Sequence, residues 1–141
     1  MVGVGVPVLH QTVLDTTDAR GLAEFWRQLL GFRYRAGDEA PPAGAPDPRG
    51  STWLVLVDPQ GVPRLAFQQV AELPPATWPE GPRPQQLHLD LRVDDVAALD
   101  EQHARVLALG ATQLLDRTDD PEEPMRAYAD PAGHPFCVFV G

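Results

Sequence analysis

The chain is short of cysteine, of basic residues and of long apolar runs, and each shortage removes a class of function. Cys137 is the single cysteine in 141 residues, so no intrachain disulfide framework can form. A lone thiol fits a reducing compartment, and the expected location is the cytoplasm. Eleven basic residues stand against 20 acidic ones, a formal charge of −9. A nucleic-acid footprint needs a basic stripe, and an anionic membrane surface repels such a chain, so neither partner is expected. No apolar run approaches the length of a membrane-spanning helix. The opening segment Met1–Val8 has no basic region and too short an apolar run for a secretory signal.

What the chain does have is 43% hydrophobic residues and 16 prolines. The first suffices for an ordinary apolar core, so residues 1–141 are expected to form one domain. The prolines cluster in two stretches, 36–50 and 71–84, and divide a pattern that occurs twice. Module one spans about 9–70, a proline-rich linker covers 71–85, and module two spans about 86–141.

In module one, Gln11–Asp15 alternates as a strand and Asp18 is placed to cap a helix. Leu22, Phe25, Trp26, Leu29 and Leu30 make one helical stripe that ends at Gly31. Strands are predicted at 32–35, 51–57 and 64–70, the last two joined by a turn at Asp58, Pro59 and Gly61. Module two repeats this order. Leu87–Val93 alternates, with leucines and valine on one face and His88, Asp90 and Arg92 on the other. Asp94 and Asp95 offer a cap, the stripe Val96, Leu99, His103, Val106 and Leu107 follows, and Gly110 closes it. Strands are predicted at 112–115, 126–129 and 136–140.

Shifting the first half by 77 residues lays Gln11 on His88, Asp18 on Asp95, Leu22 on Leu99 and Leu30 on Leu107. The hairpin sequences DPQGVP (58–63) and DPAGHP (130–135) correspond at an offset of 72. Such spacing points to a duplicated unit, although strand–helix openings and Asp-Pro-x-Gly turns are common enough to coincide by chance. Of the proline-rich stretches, 36–50 is expected to be a mobile loop and 71–84 a stiff, partly extended linker. Trp78, in the linker, is expected to fold back over apolar surface.

The segments QTVLDTTDARGLAEFWRQLLGF, LHLDLRVDDVAALDEQHARVLALGA and DPAGHPFCVFV, in that order, resemble the glyoxalase/bleomycin-resistance (vicinal oxygen chelate) superfamily. The resemblance covers nearly all of the chain outside the proline-rich stretches. It implies an α+β fold of two βαβββ modules whose curved mixed sheets enclose a cup with the helices outside. It also implies that edge-to-edge association completes the cup, so a homodimer is expected. Metal-dependent members place ligands on the first and last strands of each module. The matching positions here are Gln11, Gln68, His88 and Cys137.

That set is a poor cage for Zn, Ni, Mn or Fe. Two neutral amides are weak ligands, and the missing carboxylates remove the natural general base. The gap-free hairpin overlay also sets Leu65, not Gln68, opposite Cys137. The candidate ligand-binding residues are Gln11, Asp15, Gln68, His88, Asp90 and Cys137, with His88 and Asp90 as the candidate catalytic pair. Trp53, Trp78 and Phe139 are candidate walls. Cys137 reads as a small buried hydrophobe, His103 as a packing residue, His134 as surface, and the acidic run 119–123 as a solvated loop, with the cup's rim as its alternative place. The leading expectation is a small-molecule binder with no obligatory metal, taking a neutral or cationic guest. The alternatives are a lyase- or isomerase-type enzyme, metal-dependent or using His88 and Asp90 as acid and base, and a non-catalytic dimeric scaffold.

Overall fold

Local signals fix where each element starts and stops. In the computed structural model, which describes residues 5–141, β1 (Thr12–Thr16) leads into α1 (Ala19–Leu30). Residues 1–4 of the opening Met1–Val8 segment lie outside that description. The Asp18 carboxylate accepts the Gly21 N–H at 3.0 Å and caps α1. Gly31 ends the helix at φ 70°, a backbone region that glycine enters without a Cβ clash. Next come β2 (Arg33–Tyr34), a 3-10 turn at Arg49–Ser51, β3 (Trp53–Val57) and β4 (Pro63–Gln69).

Module two repeats the order with β5 (Leu89–Val93), α2 (Val96–Leu109), β6 (Thr112–Arg117), β7 (Met125–Ala129) and β8 (Pro135–Val140). Asp95 caps α2 through the Ala98 N–H at 2.8 Å. The sheet orders are β1-β4-β3-β2 and β5-β8-β7-β6. In each, the first and last strands of the module run parallel and the other pairs antiparallel. This is the expected α+β pair of βαβββ modules, with two open sheets. Among the described residues no helix is long and apolar enough to cross a membrane.

One buried apolar cluster runs through both halves, from Leu14, Leu22 and Phe67 to Leu99, Val106 and Phe136. Phe136 of β8 meets Phe25 and Trp26 of α1 at ring-centre distances of 5.9 and 5.0 Å, in edge geometry. The Trp26 indole N–H donates to Asp130 Oδ2 at 3.0 Å within the buried contact. His134 Nε2 lies 2.6 Å from the Asp15 carbonyl oxygen, to which it donates. His134 is therefore half-buried between the modules, not a free surface residue. Leu87 also departs from expectation. It precedes β5 and is exposed, because the strand begins two residues later.

The proline-rich stretches are tied down. The Arg20 guanidinium grips Asp47 at 2.8 and 2.9 Å and donates to the Asp38 carbonyl at 2.7 Å. Buried Asp38 accepts the Val55 N–H at 2.9 Å and pairs with Arg35 and Arg49. Segment 36–50, expected to be mobile, is thus pinned at two points to α1 and β3. The linker folds back on itself at Thr77 and Arg83, where the Arg83 N–H donates to Thr77 Oγ1 at 2.8 Å. Trp78 within that loop is half-buried.

Candidate functional site

Alternation along β5 leaves Leu89, Leu91 and Val93 half-buried and exposes Asp90 and Arg92 on the opposite face. His88, just before the strand, is also exposed, and its Nε2 lies 3.2 Å from Asp90 Oδ1. Parallel pairing sets Asp90 directly opposite Cys137 of β8, so both side chains stand on the same sheet face. The donor atoms of His88, Asp90 and Cys137 all lie within 4.8 Å of one another. The Cys137 thiol is pushed up to about 11, first by burial and then by the negative charges of Asp90 and Glu123. It is therefore a neutral thiol near pH 7 and a weak nucleophile.

In module one, Asp15, Gln68 and Trp53 form a row across β1, β4 and β3. Asp15 and Gln68, with Val13, line a cleft of about 450 Å³ whose other wall comes from linker residues such as Leu73, Pro74 and Pro84, with Leu87 of module two beside them. Gln11 stands four residues before Asp15, about 13 Å along the strand. Side chains project roughly perpendicular to a sheet, so Gln11 and Gln68 do not converge on one point. The Gln11 Oε1 is buried without a hydrogen-bond partner among the described residues. The structure thus brings His88, Asp90 and Cys137 together in module two, and Asp15 and Gln68 together under the linker.

The register also accounts for the inequality of the modules. Val13 pairs with Ala66 as Asp90 pairs with Cys137, so Ala66 is the lateral equivalent of Cys137. Val13 and Ala66 offer no ligating atom where Asp90 and Cys137 offer two.

A family model described as "Glyoxalase-like domain" matches residues 11–139. The chain belongs to the glyoxalase-like domain family. Solved structures agree on the fold. A glyoxalase/bleomycin resistance protein/dioxygenase family enzyme from Burkholderia phytofirmans PsJN is 16% identical with a TM-score of 0.65, over 93% of this chain and 96% of that one. The fosfomycin resistance protein FosX from Mesorhizobium loti is 18% identical with a TM-score of 0.64, over 100% and 94%. FosX from Listeria monocytogenes, in complex with Mn(II) and sulfate ion, is 15% identical with a TM-score of 0.65, over 97% and 94%. A comparison with curated protein sequences finds no significant match.

Within this glyoxalase-like frame the His88–Asp90 pair can relay a proton at a solvent-facing site, the carboxylate orienting the imidazole. Two features of the site had weak or no signals in the chain. The linker wall of the cleft left only proline clustering as a trace. The hold of His134 on Asp15 left none, because it depends on how the modules dock. The acidic run at 119–123, read as a solvated loop, is largely exposed, and the negative charge of Glu123 is the smallest of the causes that raise the Cys137 thiol.

Proposed function

We propose that the chain binds a small molecule in the cleft beneath its proline-rich linker and that this binding needs no metal. The observation that carries the reading is the cleft itself, about 450 Å³ and mostly apolar, with Asp15 and Gln68 side by side on its floor. That volume falls in the range of small-molecule sites, and a few polar anchors in an apolar cleft are what fix a guest's orientation. Asp15 and the overall charge of −9 favour a neutral or cationic guest. The test is a thermal-shift screen of neutral, cationic and anionic amphiphiles, followed by titration of the hits. Cationic hits should weaken by about tenfold or more in Asp15→Asn, the loss of one charge-assisted contact. A screen that yields only anions, or hits indifferent to Asp15→Asn and Gln68→Ala, sinks the reading.

A second reading is lyase- or isomerase-type chemistry at His88 and Asp90, supported by their 3.2 Å contact on an open face. A divalent metal would serve there as a Lewis acid. The donor set fits one: three ligating atoms of different strands or strand ends, within 4.8 Å, leave a fourth position open to solvent. Changing His88 and Asp90 together separates the readings. Lost turnover with intact stability supports the enzyme, and lost affinity alone supports the binder. No effect beyond stability supports a scaffold. The reading extends to a cytoplasmic homodimer, which the lone cysteine and the two open sheets support; sedimentation at a single-chain mass would count against the dimer.

A further inference from the structure

Where α1, α2 and the free edge of β5 meet, a crevice of about 210 Å³ remains. Leu29 and Leu30 of α1, Leu91 and Val93 of β5, Val106 of α2 and Val138 of β8 line it. It lies on the helix side of the second sheet, whereas Asp90 and Cys137 stand on the other face. We propose that this crevice binds a small monocarboxylate, with its apolar body among these side chains and its carboxylate on the Arg105 guanidinium. The site lies apart from the cleft under the linker and does not depend on it.

The charge pattern carries this assignment. The chain has 20 acidic residues against 11 basic ones, yet no acidic residue lines the crevice. Arg105 Nη1 donates to Gln102 Oε1 at 2.6 Å and Nη2 to the Gln28 carbonyl at 2.9 Å. The guanidinium therefore spans from α2 to α1 at the rim. Both partners are neutral. Among the described residues Arg105 has no carboxylate within ion-pair distance, unlike Arg20, Arg27, Arg64 and Arg126. Two of the five guanidinium N–H donors are used, which leaves Nε–H and a neighbouring terminal N–H for the two oxygens of one carboxylate. The same two bonds hold the planar fork in place, so little freedom is lost when an anion arrives. The bond to Gln28 also covers a carbonyl at the C-terminal end of α1 that would repel an anion.

The rest of the lining sets the size and charge of the guest. Aliphatic walls favour a hydrocarbon body in proportion to the area it buries. The volume is below the roughly 300 Å³ at which drug-sized sites begin, so the body is a short chain or a single ring. Arg92 reaches the crevice through its backbone. The Val93 carbonyl is taken on the β8 side by the Gly141 N–H, so alternation turns the Arg92 N–H and carbonyl to the free edge. The Arg92 side chain stands on the opposite face. One guanidinium at the rim matches one carboxylate, and a second carboxylate would stand unpaired.

The test is calorimetric titration of the full-length protein with butanoate, hexanoate and benzoate, and with hexanol as the uncharged control. Affinity should rise about fourfold for each methylene from butanoate to hexanoate. Hexanol should bind about tenfold or more weakly than hexanoate, the loss of one charge-assisted contact. Arg105→Gln should weaken hexanoate by a similar factor. Leu29→Trp, at a half-buried position, should weaken it by filling the crevice while the guanidinium stays in place. Unfolding midpoints show whether each variant keeps its fold, and Leu29→Trp decides alone if Arg105→Gln does not. Asp15→Asn should leave hexanoate affinity unchanged, which keeps this result separate from that of the cleft. No binding of any of the three acids overturns the proposal. So does hexanoate affinity that survives both crevice variants, or that is lost in Asp15→Asn.

Discussion

Asp58 and Asp130 occupy the same place in two copies of one turn, yet their carboxyls shift in opposite directions. In each, Oδ1 accepts backbone N–H groups, from Gln60 and Val62 on Asp58 and from Ala132 and His134 on Asp130. The second oxygen differs. On Asp58 it accepts from Arg64 at 2.9 Å, and on Asp130 from the Trp26 indole at 3.0 Å. Asp58 is held below the usual carboxylate range, first by the Val62 N–H and also by the Arg64 guanidinium. Asp130 is pushed above it by burial, which the His134 charge and the N–H donors only partly offset. A carboxyl whose folded pKa is raised loses stability as pH climbs from its unfolded value through the folded one. Trp26→Phe keeps most of the ring packing but removes a donor that favours ionised Asp130. The variant should be less stable by about 2 kcal/mol near neutral pH. The packing part of that loss is independent of pH, while the hydrogen-bond part fades as the pH falls from neutral and Asp130 takes up its proton above the ordinary carboxylate range. Urea midpoints measured across that range check this, and a deficit that stays constant would mean that only packing was lost.

At the scale of elements, the pinned 36–50 segment shows where burial concentrates energy. Asp38 is fully buried and serves three donors: the Val55 N–H, Arg35 and Arg49. The two arginine side chains are about half exposed, so their ion pairs are discounted by solvent. The costly loss is the acceptor for a buried backbone N–H. Asp38→Ala should therefore destabilise by about 2–3 kcal/mol and Arg49→Ala by under about 1 kcal/mol. Limited proteolysis within 39–48 should rise sharply in the first variant and little in the second; equal effects would place the anchor on the arginines. The physical reason this anchor escaped the reading of the chain is its range. Asp38 sits among prolines and glycines, and its partner Val55 is seventeen residues away. The helix ends, in contrast, were legible because Asp18 with Gly31 and Asp95 with Gly110 act within a turn of themselves. At the candidate site, parity along β5 sufficed to pair His88 with Asp90. The partnership with Cys137 needed the β5–β8 register, and the overlay of the two hairpins left the register of the matching strand in module one ambiguous by three residues. Gln68 entered the set as the position the resemblance implied, against that overlay, and the β1–β4 register sets it beside Asp15 rather than Gln11.

For the whole molecule, the duplicated plan suggests two independent folding units, but the contacts between halves argue for one. Phe136 is fully buried, and its ring touches Phe25 and Trp26 of module one as well as Tyr128 of its own sheet, at a centre distance of 5.4 Å from the last. The same junction holds the Trp26–Asp130 bond and the His134 contact with Asp15, while Arg105 of α2 donates to the Gln28 carbonyl of α1 at 2.9 Å. Removing a buried aromatic ring costs about 3–5 kcal/mol, against a total of about 5–15 kcal/mol for a typical folded chain. Phe136→Ala should therefore take away a large share of the stability, although the residue lies in module two only. The distribution of tryptophan makes the test direct. Trp26, Trp53 and Trp78 all lie in module one or the linker, whereas far-ultraviolet circular dichroism reports on both halves. If the halves share one core, the two signals should unfold together in the native chain, and Phe136→Ala should move both midpoints by the same amount. Tryptophan emission that keeps its midpoint while the circular dichroism becomes biphasic would show that module one stands without module two.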